Sequence, residues 1–89
     1  MDYEEMLSKA NQLGINPNKV AIANEVKNIL GYRKDAQENF EYWCELIYKA
    51  WRSDCDDNLN FATLARQLDY MISNGEELDS DSLREKAYN

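Results

Sequence analysis

Three features of the sequence predict an all-α fold. Apolar residues recur at spacings of three and four in several long stretches, which is the pattern of amphipathic helices. Runs that favour β-strands are scarce, and the 89 residues include only one proline and three glycines. A chain of this length is expected to form one domain with a modest core. We therefore predict a compact four-helix bundle-like single domain with a short C-terminal fifth helix, the helices lying at about 2–13, 17–30, 36–52, 59–73 and 82–87.

The first predicted helix, residues 2–13, has one apolar stripe and ends at a glycine. Its acidic residues lie in the first turn, where the helix dipole favours negative charge. Gly14 directly follows the last residue of the stripe, as a C-terminal stop should. The stripe consists of Tyr3, Met6, Leu7, Ala10 and Leu13.

The second predicted helix, residues 17–30, begins at an Asn-Pro pair. Asn16 is expected to cap the helix with its side chain, and Pro17 suits the first helical position. The glycine that follows the helix is expected to end it. Val20 and Ala21 fall outside the predicted core face, so we expect both to be partly exposed. The core face consists of Ile22, Ala23, Val26, Ile29 and Leu30.

The third predicted helix, residues 36–52, contains both tryptophans and is expected to carry most of the core. Asp35 and Glu38 have the Asp-x-x-Glu spacing of a capping box, which predicts where the helix begins. Aromatic and apolar residues widen the buried arc on both flanks, so we expect neighbouring helices on three sides. The main stripe consists of Ala36, Phe40, Trp43, Cys44, Ile47, Ala50 and Trp51.

An acidic connector separates the last two predicted helices. Asn74-Gly75 is expected to end the helix at 59–73. Ser82 and Glu85 have capping-box spacing for the helix at 82–87, which is too short to be stable unless its apolar residues pack on the rest. The stripe of the longer helix consists of Phe61, Leu64, Ala65, Leu68, Met71 and Ile72.

The composition predicts a protein that is not an enzyme and that has no cofactor and no metal site. The sequence has no histidine, so the usual general base near neutral pH and the commonest metal ligand are missing. The glycines fall at helix ends and form no phosphate-binding loop. Cys44 and Cys55 are too few for a zinc site, and we expect both to be free thiols.

Asp54, Asp56, Asn58 and Asn60 occupy every second position, as the ligands of an EF-hand calcium loop do. The position that needs glycine holds Leu59, and the position that needs glutamate holds Ala65. We therefore interpret the segment as polar residues before a helix N-terminus, where they stabilise the helix.

Charge predicts the kind of partner that the chain attracts. Seventeen acidic residues against ten basic residues give a formal charge of −7. Such a chain repels nucleic acid and anionic membranes and attracts basic partners. No apolar run approaches the roughly 20 residues of a membrane span, and the N-terminus lacks a signal pattern. We expect a cytoplasmic protein that does not bind membranes.

The acidic residues fall into four groups, and the candidate binding residues come from three of these groups together with Tyr42. Three groups lie at or just before predicted helix N-termini, where each carboxylate stabilises a helix by about 0.3–1 kcal/mol. Those on helix 36–52 form a row about 10 Å long on the outer face, where like charges disfavour the helix. We predict that a basic protein binds this row, with the 54–57 loop and the 76–81 connector as flanking contacts. The predicted contacts are Glu38, Glu41, Tyr42, Glu45, Asp54, Asp56, Asp57, Glu76, Glu77 and Asp79.

The predicted function is stoichiometric inhibition or regulation of a nucleic-acid-binding protein whose basic groove the acidic row would occupy. Small size, acidity, helicity and the lack of catalytic groups resemble phage and mobile-element inhibitors, including DNA-mimic and anti-CRISPR proteins. This resemblance is one of general type, without a shared motif, and it assigns no residues.

Two other functions remain as alternatives. A structural or assembly subunit would form a homodimer through leftover apolar surface, marked by Val20, Leu46 and Tyr48. A DNA-binding regulator would use residues 18–43 as a helix-turn-helix. Direct DNA binding is disfavoured because the second of these helices continues with three glutamates and lacks a basic patch. Its candidate DNA contacts are Arg33, Lys34, Gln37 and Asn39.

Overall fold

Four α-helices form the regular structure of the described residues between Pro17 and Tyr88. The computed structural model describes Gly14 and residues 16–53 and 59–88. The helices are α1 (Pro17–Leu30), α2 (Ala36–Arg52), α3 (Phe61–Ser73) and α4 (Ser80–Tyr88). These described ranges contain no strand, so the all-α class is confirmed for them. The predicted helix at 2–13 lies outside the described residues. The five-helix arrangement and the single-domain assignment of all 89 residues therefore stay predictions.

Two central helices and two flanking helices share one core. α2 and α3 pack against each other, and α1 and α4 each pack against both of them. Since α1 and α4 do not contact each other, they lie on different sides of the central pair. α2 therefore has the three helical neighbours that its wide apolar arc predicts. The buried cluster consists of Ile22, Val26, Leu30, Trp43, Leu46, Ile47, Ala50, Leu59, Leu64, Ala65, Leu68, Met71 and Leu83.

Two side chains that the sequence placed at the edge of the core are buried. Ala21 is 2% exposed, whereas its position predicted partial exposure. The prediction was wrong because α1 packs against two helices, so its buried arc is wider than one stripe. Leu46 is 7% exposed and belongs to the core, so it is not leftover apolar surface.

The start of α1 follows the predicted Asn-Pro pattern. The Asn16 side chain accepts a hydrogen bond from the Asn18 N–H at 2.9 Å, and Pro17 occupies the first helical position. Gly31 ends the helix in a right-handed conformation, with φ of −66°. A Cβ at this position would overlap the carbonyl oxygen of Lys27, which is the physical reason for a glycine here.

The predicted capping box at the start of α2 is absent. Asp35 has φ −97° and ψ 13°, outside the extended conformation of a typical cap, and its side chain makes no capping hydrogen bond. Its carbonyl oxygen instead accepts from the backbone N–H of Asn39 at 3.1 Å and from the Asn39 side chain at 3.0 Å. Glu38 therefore has no capping role and is exposed.

α3 begins at Phe61, two residues later than predicted, because Asn60 is its cap. The Asn60 side chain accepts a hydrogen bond from the Thr63 N–H at 2.7 Å. Leu59 before the cap and Leu64 in the second turn are both buried, at the two positions of a hydrophobic staple.

The predicted Asn74-Gly75 stop ends α3. Gly75 has φ of +65°, a left-handed conformation that favours glycine. The N–H of Gly75 donates to the Ile72 carbonyl at 3.1 Å, and the N–H of Glu76 donates to the Met71 carbonyl at 3.0 Å. These two bonds form a Schellman motif, which satisfies carbonyls at the helix end.

α4 runs over Ser80–Tyr88, longer than the predicted 82–87. The capping box expected of Ser82 and Glu85 does not set its start, because Asp79 caps the helix instead. The Asp79 carboxylate accepts from the backbone N–H of Ser82 at 2.8 Å and from its hydroxyl at 3.0 Å. These hydrogen bonds lower the pKa of Asp79.

Candidate protein-binding surface

The three glutamates of α2 lie together on its outer face. Glu38, Glu41 and Glu45 are all exposed, and we call them the acidic row. Residues three and four apart share one side of a helix, so the row stands opposite the buried side chains of α2. It spans about 10 Å at a rise of roughly 1.5 Å per residue. The sequence predicts this placement correctly because it depends only on helical periodicity.

The negative charge of the row is compensated at one end. The Lys19 ammonium lies 3.9 Å from a Glu45 carboxylate oxygen, and both side chains are about half exposed, at 55% and 54%. Among the described residues, Glu38 and Glu41 have no ion-pair partner. The uncompensated charge is therefore concentrated near the N-terminal end of α2.

An open cleft of about 420 Å³ lies beside this end of the row, between the last turn of α1 and the first turns of α2. Ala36 and Phe40 provide half-buried apolar surface, and Glu41 stands on the α2 side. Lys27 lines the α1 side. Apolar surface beside a carboxylate suits an arginine or lysine side chain, which has an apolar stem and a charged end.

Tyr42 borders the acidic row on the side of α4. Its side chain is half exposed, and its hydroxyl donates to the carbonyl oxygen of Leu78 at 3.3 Å. This contact places the connector between α3 and α4 alongside α2. Tyr42 thus stands between the row and the connector, as an interface residue with an apolar ring and a polar end would.

Two of the predicted connector contacts already have partners within the chain. Glu76 forms an ion pair with Lys86 of α4, and Asp79 caps that helix. Glu77 is exposed and has no ion pair within the described residues. The structure therefore brings Glu38, Glu41, Glu45 and Tyr42 together and leaves Glu77 as the unpaired acid of the connector. The remaining predicted contacts, Asp54, Asp56 and Asp57, lie outside the described residues.

Cys44 is a half-buried free thiol next to the row in sequence. Its burial, together with the charges of Glu45 and Glu41, raises the pKa of Cys44 to about 11. Since the thiolate is the nucleophilic form, this cysteine is unreactive near neutral pH. Cys55 lies outside the described residues.

Arg33, a candidate DNA contact of the helix-turn-helix alternative, is bound inside the molecule. Its guanidinium nitrogens lie 2.8 and 2.6 Å from one Asp69 carboxylate oxygen. It also donates to the Asp69 carbonyl oxygen at 2.8 Å and to the Ser73 hydroxyl at 2.5 Å. Tyr32 donates to the same carboxylate at 2.7 Å, and this bond raises the pKa of Tyr32. No local pattern in the sequence indicates this network, because Asp69 is on α3.

A second feature that sequence reasoning missed lies at the opposite end of α2. Lys19 and Arg52 stand over the ring of Tyr48, 5.0 and 5.6 Å from its centroid. Asn16 donates to the Tyr48 hydroxyl at 3.3 Å. Together with the exposed Lys49, these residues make this end of the outer face basic.

Comparisons with known proteins identified no relative. No protein-family model matches the chain, and searches of curated proteins and of solved structures found no match. In the part of the chain described, none of the helices has the length and apolarity that crossing a membrane requires.

Proposed function

We propose that this protein is a non-enzymatic binding module that inhibits or regulates a basic, nucleic-acid-binding protein by covering its positive surface. The observation that carries the proposal is the exposure of Glu38 and Glu41 without ion pairs in the described part of the chain, beside a cleft with apolar surface. DNA-mimic inhibitors of phages and mobile elements, including anti-CRISPR proteins, are the class that such a mechanism resembles.

The physical basis is the difference between exposed and covered charge. The exposed carboxylates are solvated, so each gains little from a distant cation in water. A basic groove that closes over the row would exclude water, strengthen these interactions and raise the rate of association. The carboxylates are roughly 5 Å apart along the helix, which is comparable to the charge spacing along a nucleic-acid strand.

The test begins by using the tagged full chain as bait to capture its partner from the source cells. The captured protein is identified, purified and titrated with the wild type and with the double variant Glu41→Lys/Glu45→Lys. We expect the double variant to bind about a hundredfold more weakly, because attraction becomes repulsion at two adjacent contacts. Binding by the wild type should also weaken as salt is raised.

The control is the double variant Glu25→Lys/Glu85→Lys, which changes net charge equally, leaves α2 intact and alters none of the predicted contacts. It should retain affinity within a few-fold, and both variants should keep the helical circular dichroism of the wild type. Equal losses in the two variants would show that only net charge matters. Unchanged affinity in Glu41→Lys/Glu45→Lys would remove the acidic row from the binding site.

A further inference from the structure

The outer face of α2 carries charges of both signs, separated into two halves. Glu38 and Glu41 lie toward its N-terminus, Lys49 and Arg52 lie toward its C-terminus, and Glu45 lies between them. All five side chains are exposed. The described helices contact α2 mainly through its buried side, and the ion pair that reaches this face from another helix joins Lys19 of α1 to Glu45.

These charges are arranged symmetrically in sequence about Glu45. Glu41 and Lys49 lie at equal distances on either side of it, about 6 Å along the axis at roughly 1.5 Å per residue. Glu38 and Arg52 are also equidistant from it, at about 10 Å. A twofold axis at Glu45 would therefore bring two antiparallel copies of α2 together with acids facing bases. One interface would contain two Glu38–Arg52 pairs and two Glu41–Lys49 pairs.

We propose that the protein forms a weak, salt-sensitive homodimer through this face, with the two α2 helices antiparallel and Glu45 at the twofold axis. Each copy covers the acidic row of the other, so a basic partner binds by displacing the second copy. The dimer goes beyond the proposed function and requires only the charges of α2, whereas its displacement by a basic partner rests on the proposed function.

The charge pattern within one chain supports this occupant. Glu38, Glu41 and Glu45 repel one another along the helix, and Lys49 repels Arg52. Glu45 and Lys49 have the spacing of a helical ion pair, yet no salt bridge joins them, and Glu45 is instead 3.9 Å from Lys19. A second antiparallel copy would relieve the repulsion within both halves of the face.

The repulsion between like charges at the twofold axis is partly offset by nearby lysines. Two Glu45 carboxylates would approach each other there, and each already has a lysine of α1 beside it. Tyr42 and Tyr48 lie equidistant from Glu45, so the tyrosines of the two copies would lie at the same levels and flank the axis. Tyr42 is half exposed and Tyr48 is partly buried. Aromatic rings are enriched in protein interfaces.

The test is sedimentation of the full chain at concentrations up to the millimolar range, in about 20 mM and about 500 mM salt. We expect a dimer at low salt whose dissociation constant weakens at least about tenfold at high salt, because exposed ion pairs are screened. A monomer throughout would overturn the proposal. A dimer that is indifferent to salt would also overturn it, since that result indicates an apolar interface.

Paired charge reversals identify the interface. Glu38→Lys/Glu41→Lys and Lys49→Glu/Arg52→Glu should each be monomeric alone, and an equimolar mixture should form a heterodimer with all four contacts complementary. Mixing Lys49→Glu/Arg52→Glu with Glu25→Lys/Glu77→Lys provides the control and should give no heterodimer. A mixture of the first two variants that stays monomeric, or a control mixture that associates equally well, would contradict the antiparallel arrangement.

The dimer and the proposed function can fail separately. Replacing both bases, as in Lys49→Gln/Arg52→Gln, should weaken the dimer without weakening binding to a basic partner. If this variant dimerises like the wild type, the proposed dimer is wrong whatever the result with the partner. If the dimer behaves as expected but no basic partner binds, the proposed function alone is wrong.

Discussion

At the scale of single residues, Cys44 responds to the charge of the acidic row. The thiol is half-buried, and its pKa of about 11 results from burial first and from Glu45 and Glu41 second. It therefore offers a direct chemical measurement of the negative potential at the surface of α2. Neither glutamate touches the core, so their charges can be removed without disturbing the packing of the protein.

The first prediction concerns the reactivity of this thiol in the variant Cys55→Ser. Its rate of alkylation should rise with pH to a midpoint near 11. Glu41→Gln and Glu45→Gln should each lower that midpoint, while Glu25→Gln, on α1, should leave it unchanged. A midpoint near the ordinary thiol pKa of about 8.5 would contradict both the burial and the potential.

The same shift predicts how stability depends on pH. The folded protein holds the Cys44 proton more tightly than the unfolded chain, so this contribution to stability is fully present below the ordinary thiol pKa. It is lost as pH rises from there through about 11. The free energy of unfolding, measured with urea, should fall between pH 8 and pH 11. In the variant Cys44→Ala it should fall by less, because this contribution is missing.

At the scale of elements, Arg33 fixes the turn between α1 and α2 to α3. One guanidinium contacts a carboxylate, a carbonyl and a hydroxyl on α3, and its side chain is 15% exposed. This network positions the N-terminal end of α2, and therefore Glu38 and the cleft.

The third prediction follows from this network. Arg33→Ala should lower the free energy of unfolding by about 1–2 kcal/mol, because charge-assisted hydrogen bonds at a partly buried site are lost. Arg33→Lys should recover only part of this, since an ammonium cannot reproduce the forked contacts of a guanidinium. Urea denaturation is the measurement, with the exposed Lys34→Ala as the control. A loss no larger than that of the control would show that the network does not stabilise the turn.

Sequence reasoning predicts the elements better than the contacts between them. The bounds of α1 and α2 agree with the predicted 17–30 and 36–52 because periodicity and the Asn-Pro start are local signals. The cap of α4 was misplaced because Asp79 and Ser82 both suit a cap, and only the backbone decides between them. The partner of Arg33 lies 36 residues away, so it depends on how α1, α2 and α3 pack.

The candidate surface also has some features that the sequence predicts and others that depend on how the helices pack. Exposure of the acidic row follows from helical spacing, and the sequence predicts it. Helical spacing does not predict which acids of the connector have ion pairs. The ion pair between Glu76 and Lys86 depends on α4 folding back toward the connector. The cleft could not be predicted either, since it is formed by two helices.

At the scale of the whole molecule, the acidic residues that give the net charge of −7 differ in whether they have partners within the fold. Some carboxylates cap or pair within the fold, as Asp79 and Asp69 do, whereas Glu38 and Glu41 stand unpaired in the described part of the chain. The same helix has a basic C-terminal end. Such a surface attracts cationic groups to one end of α2 and provides self-complementary charge along its whole length.

The central claim is that cationic groups bind the N-terminal half of the outer face of α2 in preference to the other acids. The most direct measurement is a nuclear magnetic resonance titration of the full chain with a nine-arginine peptide, following every backbone amide. We expect the largest shifts at residues 37–45, and we expect Glu38→Gln/Glu41→Gln to abolish them. Shifts centred on residues 76–81, or spread evenly over all acidic positions, would contradict the claim.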